Sequence, residues 1–280
     1  MNKLPLQVDY SGKVVVITGA AGLICSAMTR AFAASGAKVA ALGRTGEKVE
    51  RLAKELRAEG LICRGYEADV LDAEGLARVH EQVLAELGPC DILINGAGGN
   101  HPRATTSNEY HHEATREGVS FFDLAPDGVD GVFRLNFQGT MLPTQIFARD
   151  MVGRGGCILN ISSMNAFAPL TKIPAYSAAK AAVSNFTAWL ATHFAGSDIR
   201  CNAIAPGFLV SDQNRALLFD EEGNPTPRSE KILRSTPCHR YLDAEELLGA
   251  ALFLCDNRSA SAITGVVLPI DCGFSAYAGV

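Results

Sequence analysis

A short apolar run, a turn and an amphipathic stretch repeat along this chain. KVVVITG (13–19) is rich in β-branched residues and ends in Thr-Gly, and residues 22–35 carry apolar positions at helical spacing until Gly36. KVAALG (38–43) is followed by EKVERLAKELRAEG (47–60), a third strand lies within LICRGYEADV (61–70), and a helix spans about 72–87. DILING (91–96) is a fourth strand. The second half repeats the unit: a long helix over 127–152, GGCILNIS (155–162), a helix over 175–194, IRCNAIAP (199–206), a helix over 243–255 and TGVVLPID (264–271). Strands alternating with helical patterns predict βαβ units and a parallel sheet, and right-handed crossovers place helices on both faces. The expected fold is α/β, a doubly wound parallel sheet of about seven strands, with residues 1–280 forming one domain.

Two stretches break the repeat. Residues 99–126 form a long polar loop, and residues 208–240 are irregular, polar and interrupted by Pro225, Pro227 and Pro237. Loops this long in a compact domain are usually functional. Both follow strands, so both are expected over the carboxyl edge of the sheet, where open α/β folds bind ligands.

The first strand leads into Thr18-Gly19-Ala20-Ala21-Gly22-Leu23-Ile24-Cys25. A glycine-rich turn from strand to helix lets backbone approach a pyrophosphate, and the helix N-terminus supplies N–H groups and partial positive charge; an ordinary turn is the alternative. The spacing is nearer T-G-x-x-x-G-x-G than G-x-G-x-x-G. Asp69-Val70 ends the third strand, where a carboxylate can accept from an adenine amino group, and Asn95, Gly96, Ala97 and Gly98 end the fourth with small residues that permit close ligand approach. Together these turns predict a Rossmann-type dinucleotide site. After the second strand, Gly43-Arg44 stands where a carboxylate would hold a ribose 2′-hydroxyl; Arg44 can instead pair with a 2′-phosphate. This favours NADP(H), with NAD(H) the alternative.

Tyr176 and Lys180 open a helix four residues apart and so share a face. A nearby cation is expected to lower the phenol pKa and fit it for proton exchange with a substrate oxygen. Ser163, at a strand end, can hold the same oxygen, and Asn136 on the long helix can position a water for proton relay. His101, His111 and His112 raise the idea of a metal hydrolase, but adjacent histidines in a loop lack helical ligand spacing, and no metal site is expected. A nucleotide-binding protein without chemistry is the other class weighed; intact Asn136, Ser163, Tyr176 and Lys180 argue against it.

These residues resemble the short-chain dehydrogenase/reductase family over roughly residues 10–275. The matching pieces are Thr18-Gly19 with Ile24, Asp69-Val70, Asn95 with Ala97-Gly98, Asn136, Ser163, Tyr176 with Lys180, Arg200 with Asn202, and Pro206-Gly207. The resemblance implies Tyr176 as general acid/base, Lys180 as its pKa tuner and a ribose ligand, Ser163 as oxygen stabiliser, Asn136 as relay support, and Pro206-Gly207 beside the nicotinamide. In the family pattern, Leu23 stands at the usual second Gly of the turn, Cys25 at the third, Gly96 at the second Asn of N-N-A-G, and Cys272 where Gly is common. GGNHP (98–102), 162–186 and 205–227 resemble the D-mannonate oxidoreductase (fructuronate reductase) branch, which implies a keto sugar acid substrate; a gluconate 5-dehydrogenase-like role is a neighbouring reading. Asn100, His101, Arg103, Asn165 and Arg215 are the expected substrate ligands, with Lys172 nearby.

Composition limits the partners. The net charge is −5 with no Lys/Arg-rich run, which gives no electrostatic reason for nucleic-acid or membrane binding. No apolar run reaches the length of a membrane span, the first thirteen residues lack a signal-peptide core, and the eight cysteines lack C-x-x-C spacing, so buried free thiols and a cytoplasmic setting are expected. Surplus apolar surface on the helices 127–152 and 176–194 predicts a homo-oligomer, and the family resemblance implies a tetramer.

Overall fold

The computed structural model describes residues 8–111, 118–211 and 214–279. Its strands are β1 (Val14–Thr18), β2 (Lys38–Gly43), β3 (Cys63–Glu67), β4 (Ile92–Asn95), β5 (Gly156–Ile161), β6 (Ile199–Pro206) and β7 (Val267–Ile270). They form one sheet of seven strands in the order β3-β2-β1-β4-β5-β6-β7, with every neighbouring pair parallel. Asp69-Val70 lies just past β3 rather than ending it, and β7 is shorter than the expected 264–271.

Side chains along a strand alternate between faces, and both faces are buried here. Val15, Ile17, Val39, Ala41, Ile92, Ile94, Cys157 and Leu159 pack under helices α1 (Leu23–Ala34), α2 (Gly46–Ala58) and α9 (Leu248–Cys255). Val14, Val16, Ala40, Leu42, Leu93 and Ile158 pack under α3 (Ala73–Glu86), α5 (Gly139–Phe147) and α6 (Pro174–His193). That is why the strands read as continuous apolar runs. Each large aliphatic or aromatic side chain so buried contributes roughly 1.5–3 kcal/mol.

The long helix expected over 127–152 is not continuous. It is α4 (Pro126–Phe133), a π-helical segment (Arg134–Gln138), then α5 and a 3₁₀ turn (Ala148–Met151). The π segment is centred on Asn136. The segment 208–240, expected to be irregular, contains α7 (Arg215–Leu218) and α8 (Pro227–Ser235), the latter begun by Pro227 behind a Thr226 cap that accepts from the Ser229 N–H. The element order reverses at β1 and β4, so the crevice at their carboxyl ends is the expected ligand position. Register places Thr18, Asn95, Asn160 and Ala203 level across the sheet, and the loops after them share that edge.

Candidate active site

The turn after β1 is shaped for close approach. Gly19 has φ +67°, and a Cβ there would meet backbone of Ala97 at 3.0 Å. Gly22 caps α1 by main chain alone, its carbonyl accepting from the Ser26 N–H at 2.8 Å, while its own N–H closes the turn onto Gly19 O at 2.9 Å. No side chain caps α1 and no acidic residue lies in its first turn, which leaves its positive end free for an anion. Ala21 and Gly22 are exposed, Leu23 at the helix start is 46% exposed, and Ile24 turns down onto the core. Thr18, not singled out among the expected ligands, fixes the facing loop: its Oγ1 accepts from the Gly96 and Ala97 N–H groups at 3.1 and 3.3 Å. Its signal is a buried hydroxyl in the last position of an otherwise apolar strand.

Two departures from the family pattern explain each other. A Cβ on Gly96 would lie 2.0 Å from the Sγ of Cys25, which is 3% exposed. The thiol that replaces one glycine occupies the space vacated where an asparagine became glycine. The crowding that Cys25 implies at the helix start is therefore relieved across the loop.

Asn95 is buried, and its amide donates to Thr144 Oγ1 and Asn160 Oδ1, both at 2.9 Å, while Asn160 donates to Thr187 Oγ1 at 2.9 Å. This polar chain ties β4 and β5 to α5 and α6 through the Asn95 amide N–H groups, while its buried Oδ1 has no partner. Arg44 is exposed beside the end of β2. Asp69 is exposed, its Oδ1 accepting from Leu71 N–H at 2.9 Å, and Val70 is buried against Gly139. Gly207 donates to Ile270 O at 2.9 Å, and a Cβ on it would meet Asp271 Cα at 2.7 Å, so Pro206-Gly207 is packed onto the end of β7.

Gly98, Asn136 and Lys180 meet at one point: a Cβ on Gly98 would touch Asn136 Oδ1 at 2.7 Å and Lys180 Nζ at 3.2 Å. Asn136 is fully buried and grips the loop, donating to Gly99 O at 2.7 Å and Val132 O at 2.8 Å and accepting from Gly99 N–H at 3.2 Å. Lys180 is buried and donates to Ile161 O at 2.7 Å. Burial lowers its pKa to about 8. Its Nζ lies 5.8 Å from the Tyr176 ring centroid. The half-buried Tyr176 packs with Ala104, Val132, Ala175 and Ala179. The spacing predicts a phenol pKa lowered by Lys180; the structure reverses the sign. Burial raises it, and the neighbouring Ser163 hydroxyl only partly offsets that. Tyr176 is therefore protonated at neutral pH.

Beside Ser163, Asn165 is 5% exposed and its Oδ1 has no partner. The expected substrate ligands on the loops are exposed. Asn100 donates to Thr105 Oγ1 at 3.0 Å, His101 Nδ1 accepts from Arg103 N–H at 3.2 Å, and Arg103 pairs with Asp127 at 2.5 Å. Arg215 lies over the Phe219 ring at 5.6 Å. Lys172 adopts φ +72° and its carbonyl accepts from Thr106 N–H at 2.9 Å. An ion pair between Lys231 of α8 and Glu109 joins the two loops. His112 and Gln213 lie outside the described residues. Among the described residues no group of three or more His, Cys, Asp or Glu is placed to hold a metal ion, and no helix is long and apolar enough to cross a membrane.

A family profile described as short chain dehydrogenase matches residues 13–222. The chain belongs to the short-chain dehydrogenase/reductase family. Short-chain dehydrogenases are NAD(P)-dependent oxidoreductases, and this one carries their Rossmann-type sheet. It is 55% identical over 277 residues, 97% of this chain and 96% of the other, to an uncharacterized oxidoreductase of Haemophilus influenzae. A crystal structure of a Haemophilus protein provisionally named a D-mannonate oxidoreductase, with NAD bound, superposes with TM-score 0.94 at 53% identity, covering 97% and 98% of the two chains. A gluconate 5-dehydrogenase from Burkholderia cenocepacia, in complex with NADP and tartrate, superposes with TM-score 0.84 at 27% identity, covering 98% and 99%.

Proposed function

We propose that this short-chain dehydrogenase interconverts a keto sugar acid and the corresponding hydroxy sugar acid, D-fructuronate and D-mannonate being the leading pair, and that Tyr176, Ser163 and Lys180 are its catalytic residues with Asn136 positioning them. The observation that carries the reading is a buried Lys180 whose Nζ lies 5.8 Å from the Tyr176 ring, with the Ser163 hydroxyl beside the phenol. When bound, NAD(P)H supplies the hydride. Gly19, Ala21, Gly22, Leu23 and Ile24 cradle its pyrophosphate at the uncapped start of α1. Asp69, Val70, the backbone of Asn95, Ala97 and Gly98, Pro206, Gly207 and Lys180 complete the cofactor wall; the start of α1, with no side-chain cap and no acidic residue in its first turn, fits an anionic group. Ser163 holds the substrate carbonyl oxygen and Tyr176, protonated because it is buried, donates the proton to it. Asn136 acts through the loop it grips at Gly99, holding the Gly98 floor in place.

The unpartnered, buried Asn165 Oδ1 supports a polyhydroxylated substrate, because a substrate hydroxyl would satisfy an acceptor that is costly to leave unpaired. Arg215 is the first choice for the carboxylate, since Arg103 is already paired with Asp127; Asn100 and His101 take further hydroxyls. A neutral-sugar or gluconate 5-dehydrogenase-like role is the second reading, favoured by the tartrate complex of the Burkholderia relative. Arg44 supports a preference for NADP(H), worth about tenfold, or ~1.4 kcal/mol, at an exposed site. The enzyme is proposed to act as one domain, in the cytoplasm and as a homotetramer; Trp189, 54% exposed and stacked between Phe186 and His193, supports an apolar face covered by another subunit.

The test follows cofactor absorbance with fructuronate, 5-ketogluconate and neutral ketoses of the same length, using NADH and NADPH, in the wild type and in Arg215→Ala and Arg44→Ala. Preference for the acids, weakened in Arg215→Ala, is the expected result, with Arg44→Ala erasing the NADPH advantage. Equal turnover of neutral ketoses removes the sugar-acid reading.

A further inference from the structure

Six of the eight cysteines, at 25, 63, 90, 157, 201 and 255, are buried; Cys238 is exposed and Cys272 half-buried. These two stand together although 34 positions separate them. The Cys238 N–H donates to the Cys272 carbonyl at 3.3 Å, and Pro237 packs on Gly273, so the turn after α8 lies directly along the chain leaving β7. The Cys238 side chain lies near enough to raise the Cys272 pKa. A disulfide needs Cα atoms about 4.4–6.8 Å apart, the order of separation, about 4.5–5.5 Å, at which backbone-paired residues of neighbouring strands lie. The Arg240 guanidinium, held by Glu246 through two contacts of 2.6 Å, is close enough to act electrostatically on Cys272.

A second observation marks Cys272. Its φ is +54°, a backbone conformation that favours glycine, and Gly273 follows at +85°. A thiol is thus carried on the strained backbone of a tight turn, in reach of the one exposed thiol among the described residues. We propose that Cys238 and Cys272 are a reversible disulfide-forming site that staples the end of α8 to the end of β7. The segment in between leaves the sheet at Gly207, beside Ile270, and the disulfide would tie its far end to the same strand.

The step is a two-stage exchange with a low-molecular-weight disulfide as oxidant. The Cys238 thiolate attacks one sulfur of the small disulfide, forming a mixed disulfide and releasing one small thiolate. The Cys272 thiolate then attacks the Cys238 sulfur, forming the internal S–S bond and releasing the second. Two protein thiols lose their protons and two electrons; the small disulfide is reduced to two thiols. Burial raises the Cys272 pKa and Arg240 opposes that rise, so closure is expected to quicken as pH increases.

The experiment incubates the full-length reduced enzyme with glutathione disulfide, counts free thiols, and maps peptides by mass spectrometry without reduction. The expected result is loss of two thiols, a chain lighter by two hydrogens, a linked peptide pair containing Cys238 and Cys272, and recovery with dithiothreitol. Cys238→Ser should show no linked pair. Cys272→Gly, which suits the left-handed backbone, should fold normally and retain a mixed disulfide at Cys238. A wild type that stops at the mixed disulfide, links two chains through Cys238, or does not react overturns the proposal.

Discussion

Replacing Gly96 by Ala tests the packing between the cofactor turn and the β4 loop. The new methyl would sit 2.0 Å from Cys25 Sγ and 3.0 Å from the Thr18 carbonyl. Cys25 cannot swing aside freely, because it is 3% exposed in the first turn of α1 and packed into the core. Either α1 tilts at its N-terminus or the β4 loop lifts from Thr18 Oγ1, and both disturb the pyrophosphate cradle. Overpacking of this kind costs about 1–3 kcal/mol, which lowers Tm by roughly 2–9 °C in a protein of this size. Cofactor affinity should fall with it. Cys25→Gly alone opens space and places glycine in a helix, costing about 1 kcal/mol. In Cys25→Gly/Gly96→Ala the methyl takes the place of the thiol, so the two losses should not add; a coupling of about 1–2 kcal/mol is expected, with incomplete rescue because the Thr18 contact persists. Thermal unfolding and fluorescence titration with NADPH read both quantities. A Gly96→Ala protein as stable and as tight-binding as wild type, or costs that add within ~0.5 kcal/mol, would refute the reasoning.

Lys180→Met should stabilise the fold while abolishing turnover. Holding the charged ammonium buried lowers its pKa from 10.5 to about 8, a burden of about 3 kcal/mol at neutral pH; losing the bond to Ile161 O returns about 1 kcal/mol of that, leaving a rise in Tm of roughly 4–6 °C by calorimetry. In wild type the same group makes the fold gain stability as pH rises through about 8 toward 10.5, and Lys180→Met should flatten that slope. The raised Tyr176 pKa predicts opposite profiles for the two directions: alcohol oxidation, which needs phenolate, should climb about tenfold per pH unit from neutrality, whereas reduction, which needs the phenol, should stay level until Lys180 loses its proton at about pH 8. A level oxidation profile would contradict the burial argument.

Much of this was legible in the chain. Seven apolar runs give seven strands because a sheet buried on both faces demands near-continuous apolar sequence. The Tyr176–Lys180 spacing brings two functional groups to one helix face because helical neighbours are local. What escaped is non-local or depends on burial. The π segment at Asn136 has no periodic signature, since one extra residue per turn looks like a continuing helix. Helix α8 carries a signal, Thr226 followed by Pro227 at a helix start, but three prolines within 225–237 read equally as breaks. The fit of Cys25 to Gly96 spans 71 positions and exists only once β4 lies beside β1. The sign of the Tyr176 shift depends on desolvation, which spacing does not report.

The central claim is that Tyr176 delivers the proton in hydride transfer at this site. It is tested most directly by single-turnover oxidation of bound NADPH by keto sugar acid in Tyr176→Phe, with cofactor affinity measured in the same preparation. The account predicts a rate lower by at least ~10²–10⁴ with NADPH binding unchanged. A variant that keeps more than about a tenth of the wild-type rate would contradict it.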